Sequence, residues 1–209
     1  MKNIVIYGAG GFGRETSLLI HQINSKSPTW NVIGYCDDGK ETGERIDKRT
    51  VLGGMSYLKE SKEELSVVLA IADPATRENI RKQLSNPRLK FPTVVHPSVE
   101  ISESCSIGEG SIICAGAIMT VDISIGAFSI VNLCCTLGHD SVLQDYVSLM
   151  PAANISGNVT IGRCTYIGAG AIVLQGISIG EYSVVGAGAV VNKSFENNKR
   201  IMGVPARSI

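Results

Sequence analysis

From residue 101 to residue 191 an aliphatic side chain falls at every sixth position without a break in register. The series runs Ile101, Ile107, Ile113, Met119, Ile125, Val131, Leu137, Leu143, Leu149, Ile155, Ile161, Ile167, Val173, Ile179, Val185 and Val191. Two places before each of the last fifteen stands a small or β-branched residue, from Cys105 and Ser111 through Ser183 and Ala189. The residue directly after the aliphatic one is glycine in seven of the hexads, at 108, 126, 138, 162, 168, 180 and 186. A period of six matches neither the helical repeat nor simple strand alternation. It fits short strands joined by tight corners. The aliphatic residue points inward, the small residue fills the corner, and glycine is expected to relieve the backbone at the turn. Three such sides close a coil of about 18 residues, and sixteen hexads make roughly five coils. A β-sandwich has no reason to hold sixteen hexads in one register.

Residues 1–93 follow a different pattern. The β-branched run NIVIYG precedes GAGGFG and a helix over about Arg14 to Asn24. NVIGYCDD, VLGGMSYL and SVVLAIAD read as further strands, with a short helix at 57–64. PATRENIRKQL forms a helix with Pro74 in its first turn, and FPTVVHP leads out. Strands alternating with helices predict a parallel sheet covered by helices. The chain therefore divides into a Rossmann-like α/β domain over 1–93 and an all-β repeat domain over 94–209.

Composition narrows the function classes. Lys+Arg and Asp+Glu are both 19, so the formal net charge is zero. No nucleic-acid or anionic-membrane partner is indicated, and no apolar run reaches the length needed to cross a bilayer. The opening residues, MKNIVIYGAGGFG, read as a strand and turn instead of an export signal. Six cysteines lack CxxC spacing, so reduced thiols and a cytoplasmic setting are expected. Aromatic content is 5%, which leaves the core to Ile, Val, Leu, Ala and Gly.

One feature interrupts the repeat. His139 and Asp140 stand side by side in TLGHDSVLQDYVSL, and His139 is the sole histidine from 97 to 209. Two places after Leu137, its side chain should project from the coil. A zinc site would need several histidines, and His21 and His96 lie in the first helix and at the domain junction. No metal is expected. Cys134 and Cys135 precede the histidine. A direct group transfer needs no acyl-enzyme on either, and Cys135 occupies a corner-filling position.

The hexads resemble those of the left-handed parallel β-helix acyltransferases. With GAGGFGRE, YCDD and IADPATR before them, VVHPSV at the junction and GVPA at 203–206, the chain resembles one family over residues 2–207. This is the sialic acid O-acetyltransferase and UDP-4-amino-sugar N-acetyltransferase family. The resemblance implies an acetyl-CoA-dependent acyltransferase. It implies a homotrimer with active sites between neighbouring β-helices, and an N-terminal domain that holds a UDP-sugar or related nucleotide-sugar. In that reading His139 is the general base, tuned by Asp140, and removes a proton from a sugar amine or hydroxyl as it attacks the thioester. Asn132 matches a family asparagine near the site, although an asparagine also suits a coil corner. Gly157 matches a glycine whose N–H faces the thioester oxygen. Ser148 stands where relatives often carry a second histidine, and it is expected near the thioester or pantetheine. Gly168, Ala169, Gly186 and Ala187 would let the pantetheine arm approach, although the repeat itself also calls for small residues there, and Lys193, Lys199, Arg200 and Arg207 would meet the CoA phosphates or form a solvated C-terminal face.

The glycine run fits two ligands. Gly8, Gly10, Gly11, Phe12 and Gly13 form G-x-G-x-x-G between a strand and a helix, with Asp37 or Asp38 at the spacing of a ribose ligand. That pattern alone suggests NAD, whereas the resemblance assigns it to the nucleotide-sugar. Other readings are a serine or small-molecule O-acetyltransferase and a non-catalytic nucleotide-binding scaffold.

Overall fold

A computed structural model describes residues 1–209. The N-terminal sheet has six strands: β1 Lys2–Tyr7, β2 Trp30–Cys36, β3 Arg45–Ile46, β4 Arg49–Gly53, β5 Leu65–Leu69 and β6 Leu89–Lys90. Their spatial order is β3-β4-β2-β1-β5-β6, parallel except for the β3–β4 hairpin. Three helices accompany it: α1 Gly11–Lys26, α2 Met55–Lys59 and α3 Pro74–Gln83. Helix α1 begins three residues before the expected Arg14, because the glycine run itself makes its first turn. It seats Leu19 and Ile20 on the sheet. Helix α3 starts where Asp73 accepts a hydrogen bond from the Thr76 N–H at 2.7 Å, with Pro74 at its first position.

The rest of the chain is a left-handed β-helix of two-residue strands on three flat faces. Partner strands lie 18 residues apart, as in Ile118↔Thr136 and Leu137↔Ile155. From Ile113 to Val191 every sixth-position residue is at most 8% exposed, in one continuous core. Ile101, with no coil beneath it, is 43% exposed. The buried corner hydroxyls are satisfied: Ser111 donates to the Gly126 carbonyl, Ser141 to Ser156 and Thr165 to Gly180.

The glycines after the aliphatic position have a different cause from the one expected. The left-handed residue of each corner lies two places further on, at Asp122, Phe128, Asp140, Tyr146, Asn158 and their equivalents. The glycines instead permit close stacking of coils. A Cβ on Gly138 would lie 2.5 Å from the Gly157 nitrogen, and one on Gly108 would lie 2.4 Å from the Ala127 nitrogen.

One face carries the N-terminal domain. Its strands run from Val94–Val95 through Ile112–Ile113, Ile130–Val131, Ser148–Leu149, Tyr166–Ile167 and Val184–Val185 to the C-terminal hairpin. We call it the docking face. Ile112 and Ile130 point outward from it and are about 1% exposed, because they join the core of the N-terminal domain. Burial of such a side chain stabilises by about 1.5–3 kcal/mol. The corner that enters this face stacks Phe128 on Tyr146, with centroids 5.4 Å apart and planes 11° apart. Arg81 of α3 lies over Phe128 and Phe91, and Arg163 lies over Tyr146.

Candidate active site

The corner at 138–141 joins the second face, which contains Thr136–Leu137, to the third face, which contains Val142–Leu143. Its backbone is held from both neighbouring coils. The Asp140 N–H donates to the Val121 carbonyl, and the Asn158 N–H donates to the His139 carbonyl at 2.7 Å. Asp140 takes the left-handed conformation, φ 60°, which aspartate tolerates. Its Oδ2 lies 2.7 Å from His139 Nδ1. Both side chains are more than half exposed, at 53% and 59%. With Nδ1–H donated to the carboxylate, Nε2 carries the free lone pair.

Gly157 sits one coil further along, against the ring. A Cβ there would lie 2.4 Å from His139 Nε2 and 2.6 Å from Cε1. The absent side chain thus leaves room for the imidazole. The Gly157 N–H donates to no acceptor within the chain.

Asn132 occupies a different corner, at the opposite edge of the second face. It is 5% exposed, and its Oδ1 accepts from the Leu133 N–H at 2.7 Å. Met150, Gly168 and Gly186 stack above it at intervals of 18 residues, with Ala169 and Ala187 exposed beside the two glycines. Gly168 is required by the repeat itself, since a Cβ would lie 2.5 Å from the Ala187 nitrogen. Within one chain His139 with Gly157 and Asn132 with the Gly168 column line two separate edges.

Ser148 does not stand in an open groove. It is fully buried under the N-terminal domain, donates to the Ala72 carbonyl at 2.7 Å and accepts from Arg77 Nη2 at 2.9 Å. The expectation that it meets the thioester or pantetheine is corrected. Domain docking, which no local pattern announces, seals that position.

At the carboxyl end of the N-terminal sheet, Gly8 has φ 107° and packs on the strand beside it. A Cβ on Gly13 would lie 1.9 Å from the Gly8 carbonyl oxygen, whereas Gly10 and Gly11 face open space. Phe12 lies in the first turn of α1, where its carbonyl accepts from the Thr16 hydroxyl. Asp37 accepts from the Ala9 and Gly39 N–H groups. Asp38 accepts from the Tyr7 hydroxyl and, at 2.7 Å, from the Met55 N–H. Both carboxylates thus help to hold the loops around the glycine run, with Asp38 still exposed. Burial, then the hydrogen bond to Asp38, holds the Tyr7 phenol well above its usual range, so it remains a donor. A 340 Å³ pocket opens here, lined by Ala9, Gly10, Arg14, Lys40, Arg45 and their neighbours. The sequence reading missed these cations. Arg14, just inside a helix that follows a glycine run, was the available signal.

Known protein families match segments in both parts of the chain. Residues 3–84 match the PglD N-terminal domain, and residues 158–193 match the bacterial transferase hexapeptide repeats. The chain is 30% identical to GDP-perosamine N-acetyltransferase of Escherichia coli O157:H7, over 82% of this chain and 78% of that one. The chain belongs to this family of nucleotide-sugar N-acetyltransferases. As a member it is an acyltransferase. Its fold superposes on the acetyltransferase domain of PglB from Neisseria gonorrhoeae, solved with acetyl coenzyme A. The TM-score is 0.90 and the identity 27%, covering 100% of this chain and 99% of that one. It superposes also on perosamine N-acetyltransferase from Caulobacter crescentus, solved as a histidine-to-asparagine mutant with CoA and GDP-perosamine. There the TM-score is 0.87 and the identity 25%, with 100% and 97% covered. No helix is long and apolar enough to cross a membrane.

Proposed function

We propose that this acyltransferase moves the acetyl group of acetyl-CoA to the amino group of a nucleotide-linked sugar, with His139 as general base. The arrangement of one imidazole carries the reading: Nδ1 is held by Asp140, and Nε2 stands free over Gly157 at an exposed corner. As the sugar nitrogen attacks the thioester carbonyl, Nε2 takes its proton and the new C–N bond forms. The carbonyl oxygen becomes an oxyanion facing the Gly157 N–H. Collapse breaks the C–S bond, and the imidazolium returns its proton to the departing CoA thiolate. Asp140 stabilises the imidazolium in between. Relatives bound to acetyl-CoA, CoA and GDP-perosamine support the donor and the acceptor class. That a histidine was the residue replaced in one such complex supports the base.

The nucleotide belongs at the glycine loop. Gly10 and Gly11 admit a diphosphate at the start of α1, and Arg14 and Arg45 supply charge. The site is completed by a second copy of the chain. His139 and the Asn132–Gly168–Gly186 column lie at opposite edges of the second face, so neighbouring β-helices in a homotrimer would bring one edge of each together. The pantetheine arm would lie between them. Exposed aliphatic residues on and beside this face, Ile118 at 60%, Leu133 at 41% and Leu174 at 42%, support its burial in an assembly. The cytoplasm, where acetyl-CoA and nucleotide-sugars are made, is the setting consistent with six unpaired cysteines.

The test is incubation with acetyl-CoA and a panel of UDP- and GDP-linked sugars with and without a free amine, following CoA thiol. Release with an amino sugar, absent with its hydroxyl analogue, is expected. Release with hydroxyl sugars alone would replace N-acetylation by O-acetylation.

A further inference from the structure

Arg77 is the largest fully buried side chain of the molecule, 1% exposed, and it faces no carboxylate within hydrogen-bonding distance. Its guanidinium instead gathers carbonyls from two domains. Nε donates to Phe128 at 2.7 Å and Nη2 to Tyr146 at 2.8 Å and Val147 at 3.3 Å, all on the β-helix. Nη1 donates to Ile71 and Ala72, in the loop between β5 and α3. Ser148 closes the arrangement by accepting from Nη2 and donating to Ala72. A buried charge without a counter-ion is costly, and burial pulls this guanidinium down to about 10. Stability alone would be served as well by an apolar contact. What the fork adds is geometry, since planar donors fix two backbones at one mutual distance.

The loop it fixes adjoins the nucleotide end. A Cβ on Gly8 would lie 2.7 Å from the Ala70 carbonyl oxygen and 2.9 Å from Ile71 Cδ1. A continuous line of contact therefore runs from the glycine loop through Ile71 and Ala72 to Arg77 and Ser148, and into two successive coils. We propose that Arg77 and Ser148 are positioning residues, which set the distance between the nucleotide-binding loop and the β-helix so that a nucleotide-anchored amine reaches the thioester. The inference rests on the function proposed above. An acceptor held remotely depends on such rigidity, because a displacement of about 1 Å can cost on the order of 100-fold in rate.

The test uses Ser148→Ala, which removes one hydroxyl, and Arg77→Lys, which keeps the charge and loses the fork. Both are measured in the full-length protein below their melting temperatures. Two acetyl acceptors are compared: the nucleotide-linked amino sugar, and hydroxylamine, which needs no nucleotide loop. Each variant is expected to lose about tenfold or more in kcat with the nucleotide-linked acceptor. Rates with hydroxylamine, and the Kd values for acetyl-CoA and the nucleotide diphosphate, should stay within about twofold of the parent. Equal loss with both acceptors, or no loss in Ser148→Ala, would overturn the positioning role and leave an ordinary structural contact. Should the parent transfer acetyl to hydroxylamine but to no nucleotide-linked sugar, the functional reading would fall and this role with it.

Discussion

At the scale of single residues, the chemistry rests on what surrounds one imidazole. His139 projects from its corner and touches no core residue, so His139→Ala should lower the transfer rate by about 10²–10⁴-fold. Its melting temperature should match the parent, and its acetyl-CoA affinity should change little. A steady-state assay beside a thermal melt separates these, and a variant within a few-fold of the parent rate would remove the base. Gly157 offers a sharper check. A methyl group there would occupy the position of Nε2 and Cε1, and the exposed ring is free to swing aside. Gly157→Ala should therefore lose most of the activity of His139→Ala, about 100-fold, while the coil stays folded. Full activity in Gly157→Ala would mean that the ring position seen here is not the working one. The sequence pattern placed His139 outside the coil and beside Asp140, because adjacency and hexad position are local properties. It misplaced Ser148, because Ser148 is sealed by Arg77 and Ala72, residues more than 70 positions away.

At the scale of elements, the repeat was the most legible part. An unbroken six-residue register reports directly on which side chains face a common core, and those from Ile113 onward do. The left-handed corner positions were not legible, since residues as unlike as Asp140, Tyr146 and Cys164 occupy them. In the column that faces α3 these residues are Phe128, Tyr146 and Cys164, all buried against the helix, and packing there outweighs the backbone preference for glycine. Of the cations around Gly10 only Arg14 had a local signal, because Lys40 and Arg45 come from a loop and β3 and meet α1 only in the fold. The glycine run, by contrast, yields a prediction at this scale. Gly13 lets α1 start against the Gly8 carbonyl oxygen, which a Cβ would approach to 1.9 Å. Backbone cannot give way cheaply there, so Gly13→Ala should destabilise the N-terminal domain by about 1–3 kcal/mol or more. Gly10→Ala, with nothing nearby, should fold normally and weaken nucleotide binding alone. Denaturant unfolding and calorimetry with a nucleoside diphosphate distinguish the two.

At the scale of the whole molecule, two junctions remain, one between chains and one between domains. The edge-to-edge division of the site predicts a homotrimer, about three times 22.2 kDa, and light scattering that gave a monomer at micromolar concentration would dismantle the shared site. The junction between domains carries a pH signature. Glu78, next to Arg77 on α3, has its carboxylate 3.0 Å from Arg163 Nε and within reach of Lys82, while Arg163 also holds Asp145 at 3.0 Å. Burial pushes the Glu78 carboxyl up, but hydrogen bonds from Arg163 and Lys82 outweigh it and bring the group from 4.5 down to about 2. A carboxyl depressed by folding stabilises the native state above its unfolded value and loses that contribution as pH falls through the folded one. The advantage of the parent over Glu78→Gln should then be constant above about pH 5 and shrink between about 4.5 and 2. Urea midpoints measured across that range provide the check. Arg163→Met, which removes the partner, should flatten the same dependence. If Glu78→Gln and the parent kept a constant difference down to pH 2, the ion pair would not be holding the two domains together, and the junction would rest on the Arg77 hydrogen bonds, the burial of Ile112 and Ile130, and the aromatic stack.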